Sequence, residues 1–145
     1  MGVHWDASEV DALIVHLVAA GPRAEELSRL VVAKTGFDTV AGAQDLVPVD
    51  TGHLKNTIGV DIDDDGLGFE AGPTASYGAH IEWGTKPHVI RAVHAKALWW
   101  EGAEHPVRQV NHPGTSPQPY MRPAFEKAIA PLPDILGQVG TRALE

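Results

Sequence analysis

The chain predicts an α+β fold: a small, mostly antiparallel sheet with N-terminal and C-terminal helices packed on it. Three observations lead there. Apolar residues recur at helical spacing before Leu46 and again after Tyr120. Between those regions, short alternating runs are separated by turns rich in Gly, Pro and Asp. At 145 residues with 43% hydrophobic content, the chain is long enough for one domain with a real core. That single domain, 1–145, reads as helical over 8–46, rich in strands and loops over 54–118, and helical again over 121–144.

Ser8 suits an N-cap, with Glu9 and Asp11 in the first turn where the helix dipole favours acids. Val10, Leu13, Ile14, Leu17 and Val18 follow on one face. Gly21-Pro22 predicts the end of that helix. A second helix is expected from Ala24 toward Leu46, with a stripe at Leu27, Leu30, Val31 and Lys34, weakened by Gly36 and Gly42.

Val47-Pro48-Val49-Asp50-Thr51-Gly52-His53-Leu54 is the hinge between the helical and the extended halves. Pro48 lacks an N–H and biases Val47 away from helix. Asp50 and Thr51 can bond nearby backbone N–H groups, and Gly52 permits a turn that a bulkier residue resists. Ile58–Ile62 and Leu67–Ala71 alternate around Asp63-Asp64-Asp65-Gly66, which predicts a hairpin. Tyr77–Trp83 reads as a short helix, broken by Gly84-Thr85-Lys86-Pro87. A second hairpin is expected from Val89-Ile90 and Ala97–Trp100, with Pro106–Val110 as a further extended piece. Asn111–Pro119 is a turn-rich, exposed loop. Met121–Ala130 follows as a helix with Pro123 in its first turn and Ala124, Phe125, Ala128 and Ile129 on its apolar face. A last helix runs from Asp134 to Leu144.

Composition narrows function. A net charge of −8 argues against binding DNA phosphates, which needs clustered Lys and Arg. It suits either plain solubility or a surface along which DNA slides without sticking. Zero cysteines exclude disulfides, thiolate zinc sites and Cys nucleophiles. No apolar run spans a bilayer, and Met1–Asp6 lacks the basic flank and apolar core of a signal peptide.

No catalytic motif is complete. Asp61-Ile62-Asp63-Asp64-Asp65-Gly66 opens like an EF-hand loop, but Gly72 stands where the bidentate Glu belongs. His80-Ile81-Glu82 resembles the first half of a zinc-deaminase signature without the cysteines of the second. His80, His88, His94, His105 and His112 could ligate a metal for a hydrolase, yet none lies in an HExxH frame. No cofactor is implied. On a strand, Trp99 and Trp100 face opposite ways: either one is core and the other meets another chain, or both are covered.

Three segments combine into a more specific pattern. Val47-Pro48-Val49-Asp50-Thr51-Gly52-His53-Leu54, Tyr77-Gly78-Ala79-His80-Ile81-Glu82-Trp83-Gly84-Thr85 and Pro117-Gln118-Pro119-Tyr120-Met121-Arg122-Pro123-Ala124 occur in that order after a helical start. The series resembles the HK97 gp10-like family of tailed-phage proteins, with its PVDTG turn, its E-[FYW]-G-T segment and its P-x-P-[FY]-[LM]-x-P-A helix entry. His53 replaces the family's usual long basic or polar side chain, and Trp83 its commoner Phe.

The resemblance implies a structural virion protein made in the host cytoplasm, not an enzyme. It would form a ring, commonly sixfold, at the head-proximal end of the tail. Its partners would be the tail-tube protein and a head-side connector or stopper. DNA would pass through without sequence-specific binding, and no membrane is involved. A stopper or head-completion protein is the neighbouring alternative. On that reading Pro48, Asp50, Thr51 and Gly52 define one turn. Glu82, Trp83, Gly84 and Thr85 define another, with Trp83 burying area and the Thr85 hydroxyl capping. Trp99, Trp100, His112, Pro113, Pro119 and Tyr120 are candidate inter-subunit contacts. Asp61, Asp63, Asp64 and Asp65 are candidate acidic residues of the channel wall.

Overall fold

The computed structural model describes the chain from Ser8 onward, with side chains from Ala12. The Ser8 side chain, and with it the expected cap, and Met1–Asp6 lie outside what is described. The fold is α+β, in the order α1 (Ser8–Leu46), α2 (His53–Thr57), β1 (Ile58–Ile62), β2 (Phe69–Pro73), α3 (Gly78–Trp83), β3 (His88–Arg91), β4 (Gln109–His112), α4 (Met121–Ile129) and α5 (Leu132–Ala143). The described strands form two separate two-stranded antiparallel sheets rather than one.

α1 corrects the expected break at Gly21-Pro22. It is one helix of 39 residues with Pro22 inside it, roughly 58 Å long at 1.5 Å per residue. Pro22 forfeits one helical hydrogen bond. Good helix formers on both sides, Ala19-Ala20 and Ala24-Glu25-Glu26-Leu27, carry the helix across. The stretch is exposed, so water can satisfy the freed carbonyl.

Gly36 and Gly42 mark packing contacts rather than weak points. A methyl at Gly36 would stand 2.9 Å from Val60 Cγ2, and one at Gly42 would stand 3.3 Å from Ala124 Cβ. Their bareness lets the β1–β2 hairpin and α4 approach α1 closely. The core lies there, from Ala43, Val47, Leu54, Ile58, Tyr120 and Ala124, with Val40, Ile81 and Met121 half-buried against it. Thr35 and Thr39 are buried, and each hydroxyl donates to the carbonyl four residues back, on Val31 and Thr35. Among the described residues, no buried side-chain polar atom lacks a partner.

The first hairpin pairs Ile58 with Pro73 through Ile62 with Phe69. Its Asp63–Gly66 tip sits beside α1, where Arg29 Nε donates to the Asp65 carbonyl at 2.7 Å. The second hairpin differs from expectation. Val89-Ile90 pairs with Asn111 and Val110, not with Ala97–Trp100, which reaches Val107 only by the bridge at Leu98. The intervening Gly, Pro and His residues make a longer excursion than a tight turn. The last two helices are Met121–Ile129 and Leu132–Ala143, with Pro133 in the first turn of α5.

Candidate functional site

Glu82 lies on α3, a helix of six residues that begins after Tyr77 and ends at Gly84. It is only 5% exposed. Its carboxylate accepts three backbone N–H groups at the start of α4. Oε2 takes those of Tyr120 at 2.8 Å and Met121 at 2.9 Å, and Oε1 takes that of Arg122 at 3.0 Å. A helix start leaves its first N–H groups unpaired. Tyr120, at the cap position, supplies no side-chain bond of its own. Pro123, the next residue, has no N–H to satisfy. The carboxylate and Pro123 together therefore account for the whole first turn of α4, and the negative charge sits at the positive end of the helix dipole.

Tyr120 completes the clasp from the other side. It is 0% exposed, and its hydroxyl donates to the Gly78 carbonyl at 3.2 Å. A methyl at Gly78 would stand 2.8 Å from that hydroxyl and 2.5 Å from Pro73 Cγ, so only glycine admits the ring there. The tyrosine-glycine pair and the Glu of the second motif thus grip the Pro-Tyr-Met-Arg of the third. Tyr120 is consequently core and not an inter-subunit contact, because its ring fills the space between α1, α2 and α3.

Burial pushes the Tyr120 phenol above the ordinary value of 10.0, and the charges of Glu82 and Tyr77 add to it. The neutral phenol is the form that the fold stabilises. That contribution is present below pH 10 and is lost as pH rises through the folded value, since the unfolded chain ionises first. Ultraviolet titration should show one tyrosine ionising above the ordinary value, with stability falling at alkaline pH. Tyr120→Phe should remove the late-titrating group and cost about 1 kcal/mol in urea denaturation, the worth of one buried hydrogen bond.

Trp83, next to Glu82, points the other way and is 67% exposed, which corrects the expectation that it buries area. On a helix this short, the carboxylate's three bonds decide the facing, and the indole is left outside. Gly84 has φ 69° and ψ −177°, a conformation reserved for glycine. Thr85 does not cap the turn. Its backbone and that of Thr115 exchange N–H bonds at 3.0 and 3.1 Å, and Thr85 Oγ1 meets Thr115 Oγ1 at 3.1 Å. This bridge anchors the base of the β3–β4 arm.

The arm carries Trp99 and Trp100 near its far end, and both indoles are exposed, so neither is core. His112 is half-buried and lies against His88, with ring centroids 5.1 Å apart, and accepts the Gly114 N–H on Nδ1. Pro113 and Pro119 are exposed. Among the described residues, no group of three or more His, Asp or Glu gathers as a metal site would require. The Asp63–Gly66 segment is the exposed hairpin tip that the alternation around it predicts, and Asp65 Oδ1 accepts the Leu67 N–H there. Asp61, Asp63, Asp64 and Asp65 are all exposed. In the first turn, Pro48 and Asp50 are exposed, Gly52 takes φ 80° at the cap of α2, and Thr51 Oγ1 accepts the His53 N–H at a long 3.4 Å.

A groove that sequence reasoning missed opens between β2, α3 and α4. It encloses about 640 Å³ and is lined by Phe69, Ala71, Trp83, Met121 and Phe125, with Thr39 at its floor. Phe69 and Phe125 meet with ring centroids 6.2 Å apart. Phe125, which spacing places on the apolar face of α4, is 42% exposed and lies on the groove wall.

These features lie on a chain whose residues 11–84 match the HK97-gp10-like family model, described as "Bacteriophage HK97-gp10, putative tail-component". The match covers half of the chain. The protein belongs to the HK97 gp10-like family. It is a phage tail component by family, which associates it with the virion. The buried Glu82 and the Gly78 that admits Tyr120 fall inside the matched region, whereas the α4 start that they hold lies beyond it. No curated protein and no solved structure matches the chain. No described helix is long and apolar enough to cross a membrane.

Proposed function

We propose that this HK97 gp10-like protein is a ring subunit at the head-proximal end of a phage tail, acting as a tail terminator or head-to-tail joining protein. The stopper and head-completion layers of the neck are the neighbouring assignments. The observation that carries this reading is the amount of large apolar surface left bare outside a well-satisfied core. Trp83, Trp99 and Trp100 are exposed, as is the Leu13–Val18 stretch of α1. Aromatic residues exposed in this way are typical anchors of protein interfaces. The β3–β4 arm projects Trp99 and Trp100 outward from a narrow base, which suits a subunit that grips its neighbours in a head-to-tail ring.

The ring acts by shape. Its partners are further copies of the chain, probed first as a hexamer, together with the tail-tube protein and a head-side connector. DNA passes through the opening. Imaging of intact particles, or of the protein mixed with its tail-tube partner, should show a ring of defined symmetry at the neck. Density for the protein elsewhere on the particle, or its absence from particles, would overturn the assignment.

The exposed Asp61, Asp63, Asp64 and Asp65 are proposed to face the channel, where like charge keeps phosphates from adhering. Replacing the four with lysine should leave assembly intact, because they are exposed, and should slow genome ejection measurably. Ejection kinetics equal to wild type would remove the channel assignment.

A further inference from the structure

We infer that His112, facing His88, is a proton-sensitive latch at the base of the β3–β4 arm, closed while His112 is neutral and opened when it takes up a proton. The inference goes beyond the ring reading and is tested on the isolated chain.

Place comes first. His88 opens β3, His112 closes β4, and the two are direct partners in the strand register. Cross-strand partners carry their side chains on one face of the pair. The two ring centroids stand 5.1 Å apart, with the planes tilted by 31°. The Thr85–Thr115 bridge lies immediately toward the body of the protein. A change at the histidines therefore acts at the narrow base from which the arm, with its exposed Trp99 and Trp100, extends.

Backbone partners fix the two tautomers. The Lys86 carbonyl can only accept, so His88 Nδ1, 2.8 Å from it, carries a proton and leaves Nε2 bare. The Gly114 N–H can only donate, so His112 Nδ1, 3.1 Å from it, is bare and Nε2 carries the proton. The rings are opposite tautomers. A metal held between the two Nε2 atoms would need a bare nitrogen on each, and His112 does not offer one while its Gly114 bond stands.

The asymmetry decides what an added proton does. On His88 it goes to Nε2, and the bond to Lys86 survives. On His112 the vacant nitrogen is Nδ1, so the proton displaces the Gly114 N–H and sets one donor against another. The bond at risk closes a tight turn, because His112 accepts from the residue two further on, as Asp or Asn does in an Asx turn. Gly114 has φ 87°, and a methyl there would run into the Thr85 carbonyl oxygen. The turn is thus pressed against the bridge that anchors the arm, and opening one loosens the other.

The surroundings do not offset the added charge. The titratable group facing each imidazole is the other one. The charged side chains along the base and inner part of the arm, Lys86, Arg91 and Arg108, are all cationic. Glu101, Glu104 and His105 lie beyond the Leu98–Val107 bridge at the far end, and His94 lies in the excursion past β3. Among the described residues, no ion pair joins a carboxylate to either imidazole. β3 and β4 pack on each other, and no helix makes an extensive contact with either.

The test uses the full-length chain labelled with nitrogen-15. At about pH 8 the imidazole nitrogen shifts should place the neutral proton on Nδ1 of His88 and on Nε2 of His112. Between about pH 8 and about pH 5, amide protection at Thr85, Gly114 and Thr115, taken relative to the free-chain exchange rate, should fall about tenfold, while α1 amides near Gly42 keep theirs. His112→Asn sets an amide oxygen where Nδ1 stands and cannot titrate, so its protection should stay level across the range. His88→Asn removes the facing ring but not the group that opens the turn, so the fall should persist. Five results overturn the inference: a proton on Nδ1 of neutral His112, a level wild-type profile, the wild-type fall in His112→Asn, no fall in His88→Asn, or an equal fall in α1, which is acid unfolding of the whole chain. If His112→Asn loses the turn at every pH, the tautomers and the His88→Asn profile decide. A neck ring, or its absence, bears on none of these results.

Discussion

Glu82→Ala is expected to cost about 3 kcal/mol, well above the roughly 1 kcal/mol typical of a lost local helix cap. The difference lies in number and burial. One carboxylate serves three N–H groups, and the Tyr120 N–H among them is buried, where an unsatisfied donor is penalised in full. Water can reach the Arg122 N–H more readily, which keeps the figure below the sum of three buried losses. For a domain of this length the loss corresponds to a fall in melting temperature of roughly 6–12 °C. Glu82→Gln should fall between, because it retains one acceptor oxygen but turns an amide N–H₂ toward a backbone donor. Glu126→Ala is the control. Its carboxylate pairs with Arg122 on the exposed side of α4, so it should change stability by less than about 0.5 kcal/mol. Denaturant unfolding of the three variants measures this directly. A loss below about 1 kcal/mol for Glu82→Ala would show that the carboxylate does not hold the helix start.

Gly84→Ala should be at least as damaging, with a loss above about 3 kcal/mol or failure to accumulate as soluble protein. A methyl there would stand 2.4 Å from the Thr115 carbonyl oxygen and 2.9 Å from the Pro117 nitrogen. Both are backbone atoms that cannot swing aside. The backbone angles add their own cost of about 1–3 kcal/mol for any residue but glycine. The consequence is local before it is global. The Thr85–Thr115 bridge is forced apart, and the Trp99–Trp100 arm loses its anchor. Amide exchange at Thr85 and Thr115 should therefore accelerate more than exchange in α1. Gly140→Ala offers the opposite sign. It sits within α5 with nothing within 4 Å of the added methyl, and should stabilise by about 0.5–1 kcal/mol. Equal effects at the two glycines would show that neither environment is as described.

Glu82 and its exposed neighbours differ in what they hold. Glu82 couples two distant segments of one subunit, so its loss destabilises the monomer. Trp83 and Leu17 are exposed in the monomer, so changes there should leave the monomer intact, whereas Phe69 and Met121 are half-buried and also serve the fold. Both kinds of residue sit beside one another on α3, Glu82 inward and Trp83 outward. A six-residue helix therefore joins the strongest internal clasp to the edge of the apolar groove between β2, α3 and α4.

Much of the architecture was legible from residue order. Apolar spacing located α4 and both halves of α1, read as two helices, and alternation around Asp63–Gly66 located the first hairpin. Pro123 marked the first turn of α4. These are local signals, in which each residue is judged against neighbours within a turn or two. The three motifs that carry the family resemblance were legible for the same reason.

Sequence by itself settled which residue types stand where, the helical ends and extended middle, the lack of thiol chemistry and the family of phage tail components. Tertiary structure alone decided how those residues face. It carried α1 through Pro22, where flanking helix formers and solvent offset one missing bond. It turned Glu82 inward and Trp83 outward, although the opposite is the ordinary preference for a carboxylate and an indole. It sank Tyr120 into the core and brought Phe125 to the rim of a groove. The physical reason is common to all of these. A buried charge is tolerable only where its hydrogen-bond partners converge, and here the partners lie some 40 residues further along the chain, beyond the reach of any local pattern.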